Sequence, residues 1–414
     1  MGEWKEYKLG DVCTISSSKR IFASEYQKSG IPFYRGKEII EKQNGISISN
    51  ELFISEERFN EIRNKYGAPK EGDMLLSSVG TLGVPYIVQN ETFYFKDGNL
   101  TWFYDYKNIN NYFLYYWFLS PQAKFLIDTK AIGSTQKALT IETLKKFEIL
   151  LPSLSTQNKI VSILKSLDDK IEVNRKICEN LEQQAQALFK HWFIDFAPFK
   201  DGKFINSELG LIPEGWRVGT LGDYCVIRSG FAFKSSWWQD EGVKVVKIKN
   251  ITDGGTLDMS DCSCVSEEHA SLASSFQTKS GDLLIAMTGA TMGKFCVVHG
   301  YETYCVNQRV GKFFLGDNPL DKLPFIYCIL KRDAVYKEIV NKGQGSAQPN
   351  ISGKDIEEIK IIFPPKSIIE QFNEELHSSF KFRINSELES RRLATLRDTL
   401  LPKLMSGELK VNEL

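Results

Sequence analysis

Leu9-Gly10-Asp11-Val12-Cys13 recurs as Leu221-Gly222-Asp223-Tyr224-Cys225, and Gly133-Ser134-Thr135-Gln136 recurs as Gly345-Ser346-Ala347-Gln348. The copies lie about 212 residues apart in both cases, half of a 414-residue chain, so a tandem duplication of one unit decides the architecture. A duplicated unit trailed each time by a long helix is internally pseudo-symmetric and suits a two-part target, of which duplex DNA is the commonest.

Outward from the repeat, residues 1–152 read as a first mixed domain. Aromatic and β-branched runs such as Ile31-Pro32-Phe33-Tyr34 and Tyr86-Ile87-Val88 are broken by Gly, Asn and Pro, with one aromatic-rich helix from Asn111 to Ile127. Leu150-Leu151-Pro152 closes the domain, because proline cannot continue a strand ladder. From 153 to 197 the period changes. Ile160, Leu164, Leu167, Ile171, Asn174, Cys178, Leu181, Ala185, Leu188 and Trp192 alternate by four and three, the seam of a coiled coil. A helix of about forty residues is roughly 60 Å long, and Asn174 is the polar seam residue that fixes register.

A turn-rich connector, 198–215, leads to a second domain at 216–364. Its expected strands include Val243-Lys244-Val245-Val246-Lys247-Ile248-Lys249 and Asp282-Leu283-Leu284-Ile285. Residues 365–414 hold the second long helix, from about Ser367 to Met405, with a less regular seam of Phe372, Leu376, Phe380, Ile384, Leu388, Leu393, Leu396, Leu400 and Leu404. The expected fold class is α+β: two tandem mixed α/β domains separated by two long antiparallel coiled-coil helices, a dumbbell.

Composition sets the class. A 42% hydrophobic content over 414 residues buries a large core. No run approaches the roughly 20 uncharged apolar residues of a membrane helix, and Met1-Gly2-Glu3-Trp4-Lys5-Glu6 has no signal core, so the expected compartment is the cytoplasm. Eight cysteines include no C-x-x-C pair, and Cys262-Ser263-Cys264 is too tight for a zinc knuckle, so no metal site is expected. Fifty-two basic and 52 acidic residues exclude a protein that coats nucleic acid by bulk charge, but leave room for a sequence-specific binder with basic groups on one face.

Candidate DNA contacts are polar groups that both copies carry at equivalent places. Arg35 and Lys37 alternate along an expected strand face, as do Lys247 and Lys249. Glycine-punctuated turns follow a Gly-Asp-apolar strand at Val79-Gly80-Thr81-Leu82-Gly83 and at Thr288-Gly289-Ala290-Thr291-Met292-Gly293-Lys294, which makes Thr81, Thr291 and Lys294 candidates for phosphate contact. Thr135, Gln136 and Lys137 of the first copy and Gln348 and Asn350 of the second follow, since Gln and Asn can bond two edges of adenine and Lys or Arg can reach guanine or phosphate. Gln308 and Arg309 join the set.

Enzyme motifs fail. Phe363-Pro364-Pro365-Lys366 has prolines without the acid or the aromatic of an adenine methyltransferase motif, and Gly289 to Phe295 is one residue short of a P-loop. No catalytic residues are expected.

At this point the chain resembles the specificity subunit of type I restriction-modification systems over nearly its whole length. The motifs are Leu209-Gly210-Leu211-Ile212-Pro213-Glu214-Gly215-Trp216, Leu221-Gly222-Asp223, the Gly-Asp strands at Gly72-Asp73 and Gly281-Asp282, Gly-Ser-x-Gln, and Leu151-Pro152 to Gln157. The resemblance implies two target recognition domains that each read half of a split DNA site. It also implies helices that dock modification (N6-adenine methyltransferase) subunits, with Leu164, Leu167, Ile171, Asn174, Leu181, Leu188, Leu393, Leu396 and Leu400 as the candidate docking residues. S-adenosylmethionine, ATP and Mg would sit on the modification and restriction subunits, with no cofactor on this chain. One departure stands out: the stretch from Pro364 to Gln371 is two residues longer than that from Pro152 to Gln157. The competing expectation is a two-headed coiled-coil protein-interaction scaffold without direct DNA reading.

Overall fold

A computed structural model describes residues 4–46, 48, 51–133, 137–252, 254–300, 302–343 and 349–411. By packing, the chain divides into two compact units, Met1–Asp169 with Leu393–Leu414, and Lys170–Arg392.

The duplication is reproduced strand for strand. In the first unit a four-stranded antiparallel sheet has the order Thr14–Ser16, Leu100–Tyr104, Met74–Ser77, Pro85–Ile87; in the second the order is Val226–Ser229, Val310–Phe314, Leu283–Ala286, Phe295–Val297. Each unit adds a three-stranded sheet centred on Ile31–Tyr34 or Val243–Val246, which pairs in parallel with Tyr94–Phe95 or Cys305–Val306. A two-stranded ribbon joins the start of each domain to its end, Lys5–Lys8 with Glu148–Leu151 and Arg217–Thr220 with Lys360–Phe363. The Leu-Gly-Asp motif sits beside that ribbon. Leu9 and Leu221 are fully buried, and their N–H groups bond the carbonyls of Phe147 and Ile359, each at 2.9 Å.

The central strands are apolar on both faces, one covered by helices and the other by the three-stranded sheet and its flanking loops. Phe113, Trp117 and Phe118 pack with Phe103 and Met74 in the first unit, and Phe325, Ile326 and Ile329 with Phe313 and Leu283 in the second. The single helix expected from Asn111 to Ile127 is two, Asn111–Leu119 and Pro121–Lys130. Ser120 ends the first and caps the second, and Pro121 stands at the first helical position, where its missing N–H costs nothing.

The long helices run Leu154–Phe193 and Lys366–Ser406. In the second unit Asn174 Nδ2 donates to Glu389 Oε2 at 2.7 Å and lies 3.4 Å from the Ser386 carbonyl, while Cys178 reaches the Arg383 carbonyl. In the first unit Asp168 pairs with Arg397 at 2.6 Å. In the second unit, then, residue numbers rise on one helix as they fall on the other, which is the expected antiparallel sense. The second seam is irregular because Arg383, Ser386 and Glu387 occupy its middle, and Leu396 falls out of register at 46% exposed. The longer approach from Pro364 is absorbed by a change of residue: Gln157 is buried and accepts the Asn110 N–H at 2.9 Å, whereas Gln371 is exposed and Asn373 accepts the Phe325 N–H at 2.9 Å.

Candidate nucleic-acid interface

The Gly-Asp motif builds the platform. Gly72 and Gly281 both hold φ at +88°, which a side chain would strain. Asp73 accepts the Lys70 N–H at 3.0 Å and the Trp102 indole N–H at 2.9 Å. Asp282 accepts the Lys279 N–H at 2.8 Å and pairs with buried Lys312 at 2.7 Å. Burial pushes the Asp73 carboxyl above the usual aspartate range. These carboxylates are structural, and each launches a strand that ends in the glycine turn carrying Thr81 or Thr291.

In both units the residues just after Gly-Ser-x-Gln bond back to that turn. Val79 bridges Ala138 and Thr288 bridges Asn350, with Leu139 N–H on the Ser78 carbonyl at 2.9 Å and Ile351 N–H on the Met287 carbonyl at 3.0 Å. Thr135, Gln136 and Gln348 themselves lie outside the described residues. Thr81 and exposed Lys137 flank this junction in the first unit.

The second unit gathers its candidates around two adjoining clefts. One, of 410 Å³, is lined by Phe233, Ser235, Trp238, Lys247, Ile248, Lys249, Asn307, Gln308 and Arg309. The other, also 410 Å³, is lined by Ser229, Thr288, Gln308, Arg309, Pro349, Asn350, Ile351 and Ser352. Lys247, Lys249, Gln308, Arg309 and Asn350 are therefore brought together, with Gln308 and Arg309 shared by both clefts. Lys247 donates to Ser263 Oγ at 2.7 Å and lies 3.7 Å from the Trp238 ring centroid. Burial, with Lys249 close by, lowers its pKa from the usual lysine value. Lys249 is held by Asp261 at 2.7 Å. Thr291 and Lys294 close the far side of the glycine turn and line neither cleft, the Lys294 N–H bonding the Thr291 carbonyl at 3.0 Å.

Two expectations need correction. Arg35 and Lys37 do not share a strand face: the strand ends at Tyr34, Arg35 precedes the helix Gly36–Gln43, and Lys37 lies within it. Glu38 captures the Arg35 side chain, with Nε to Oε1 at 3.1 Å, and Lys37 pairs with Glu41 at 3.4 Å. Burial pushes the Glu38 carboxyl up, but its bonds from Arg35 prevail and hold it below the usual range. The second strand likewise stops at Val246, and Ile248–Asn250 is a 3₁₀ turn, so Lys247 and Lys249 sit at a corner. Asn250 fixes that corner by accepting the Lys247 N–H at 2.9 Å.

The helix residues expected to dock partners differ in exposure. Leu164 and Asn174 are buried, Leu167, Ile171, Leu181, Leu188, Leu393 and Leu400 are half-buried, and Leu396 is the exposed member. Leu164 packs in the core that also holds Leu401 and Leu404.

Sequence reading missed the aromatic wall of the first cleft, Phe233 and Trp238. Its signal is the interleaving of aromatic and basic residues in Phe231-Ala232-Phe233-Lys234-Ser235-Ser236-Trp237-Trp238, the pattern that stacking and phosphate contact both use. Among the described residues no group of three His, Cys, Asp or Glu side chains gathers as metal ligands, and no helix is long and apolar enough to cross a membrane. Cys13 and Cys225, at equivalent places in the repeat, are both unpaired, and burial pushes both thiols up to about 12.

The family model described as the type I restriction modification DNA specificity domain matches residues 1–183 and 213–396. The type I restriction enzyme MjaIX specificity subunit of Methanocaldococcus jannaschii is 30% identical over 432 residues, covering 100% of this chain and 95% of the relative. The HindI specificity subunit of Haemophilus influenzae is 23% identical, covering 99% of this chain and 100% of the relative. Among solved structures, the type I restriction-modification S subunit from M. genitalium superposes with a TM-score of 0.58 at 19% identity, covering 97% of this chain and 96% of the other, which shows the shared fold. With two matching domains on a duplicated fold, the chain belongs to the type I restriction-modification DNA specificity family, as a non-catalytic specificity subunit.

Proposed function

We propose that this subunit reads a bipartite site in duplex DNA, one half with each unit. In that role it docks the modification subunits that methylate adenine at N6 and the restriction subunits that cleave. S-adenosylmethionine, ATP and Mg act on those partners, and the assembly works in the cytoplasm. The observation that carries the reading is the junction built twice, in which the segment after Gly-Ser-x-Gln is bonded to a glycine turn, flanked in the second unit by clefts lined with Lys247, Gln308 and Arg309. Exposed polar groups on turns anchored by buried carboxylates suit contact with base edges and phosphates. The test is long-read mapping of methylated adenines in a methylation-free host that expresses this chain with its modification subunit. A split motif of constant spacer, altered by Gln136→Ala or Gln348→Ala, is expected. A soluble complex that methylates nothing would instead favour a protein-interaction scaffold.

A further inference from the structure

Resting on that reading, we infer that Arg309 is the residue with which the second unit recognises a guanine in its half-site. The side chain is exposed, lines both clefts, and has no hydrogen-bond or ion-pair partner among the described residues. Its basic neighbours are otherwise engaged. Lys247 is held by Ser263 and Trp238, and Lys249 by Asp261. The turn that presents Arg309 is fixed by its backbone. Gln308 N–H bonds the Phe231 carbonyl at 3.0 Å, Val310 N–H bonds the Asn307 carbonyl at 2.8 Å, and the Arg309 carbonyl accepts the Met287 N–H at 3.0 Å. The turn is rigid, and the planar guanidinium fork matches O6 and N7 of guanine in a fixed two-donor geometry that the single ammonium of lysine holds less strictly.

The first unit differs at the corresponding place. There the Asn99 carbonyl accepts the Ser78 N–H at 2.8 Å, as that of Arg309 accepts Met287, so a neutral amide stands where the second unit has a cation. Two residues before it, Asp97 pairs with Arg20 at 2.8 Å. The two halves of the site are accordingly read by different chemistry.

The experiment is the same methylation mapping, on Arg309→Ala and Arg309→Lys beside the wild type. Arg309→Ala is expected to keep methylating while one G·C position of one half-site becomes degenerate, discrimination there falling roughly ten- to a hundredfold. The other half-site and the spacer stay unchanged, and Arg309→Lys relaxes the same position. An unaltered motif in Arg309→Ala overturns the inference while leaving DNA reading intact. If Arg309→Ala methylates nothing, Arg309→Lys decides, and an unaltered motif there overturns it equally. A wild type without a split motif overturns the DNA reading itself.

Discussion

At the scale of single residues, the two Gly-Asp motifs look alike but are loaded differently. Asp73 faces a neutral indole, whereas Asp282 faces the ammonium of Lys312, with side-chain exposures of 4% and 8% for that ion pair. Removing one partner of a buried ion pair strands the other charge and costs about 3–5 kcal/mol. Losing a neutral hydrogen bond at a buried site costs about 1–3 kcal/mol. Asp282→Asn is therefore expected to destabilise the second unit more than Asp73→Asn destabilises the first, measured by urea unfolding with each variant in the full chain. Equal losses would show that Lys312 finds enough compensation from the Gln277 carbonyl, which it also reaches at 2.6 Å. The sequence exposed the motif because both copies spell it. It hid the function of each aspartate, because Trp102 and Lys312 come from a strand roughly thirty residues downstream and only the sheet register brings them back.

Among the elements, the long helices were the most legible, because a four-three alternation over ten seam positions has few other readings. The strand corners at Arg35 and Lys247 were not. Alternating polar residues after an apolar strand look the same whether the strand continues or turns, and the turn is decided by Glu38 and Asn250, whose side chains cap backbone N–H groups three residues earlier. The central part of the second helix also read poorly, since its buried face is ionic. Its Arg383 faces Glu182 of the first helix at 3.4 Å, which itself accepts from Tyr327 at 2.7 Å and pairs with Lys331 at 2.6 Å, while its Glu387 pairs with His299 and with Arg383 at 3.0 Å. Burial raises both carboxyls, but Arg383 and Lys331 beside Glu182, and the His299 hydrogen bond with Arg383 beside Glu387, prevail and hold them below the usual range. A lowered folded value means that the stabilisation is complete above the ordinary glutamate value of about 4.3 and drains away as pH falls through the folded one. Melting temperature should thus drop on the acid side, and Glu387→Gln should flatten that drop while lowering stability near neutrality. An acid limb as steep as the wild type's would remove Glu387 from the account.

For the whole molecule, the charge balance decides what salt can report. With 52 basic and 52 acidic residues there is no bulk attraction to DNA, so the salt dependence of binding counts local phosphate contacts. Each contact contributes about 0.9 to the slope of log affinity against log salt. Lys247 lines the first cleft, steadied by Trp238 and Ser263, and its ammonium is a point charge that suits a phosphate, whose oxygens accept from many directions. Lys247→Ala in the complex assembled with the modification subunit should weaken binding of all duplexes alike and reduce the slope by about one, with the methylated motif unchanged. Arg309→Ala should alter the motif instead. A slope untouched by Lys247→Ala would place the phosphate contacts on other residues, and an assembled complex whose binding ignores salt altogether would sink the proposal that this chain touches DNA.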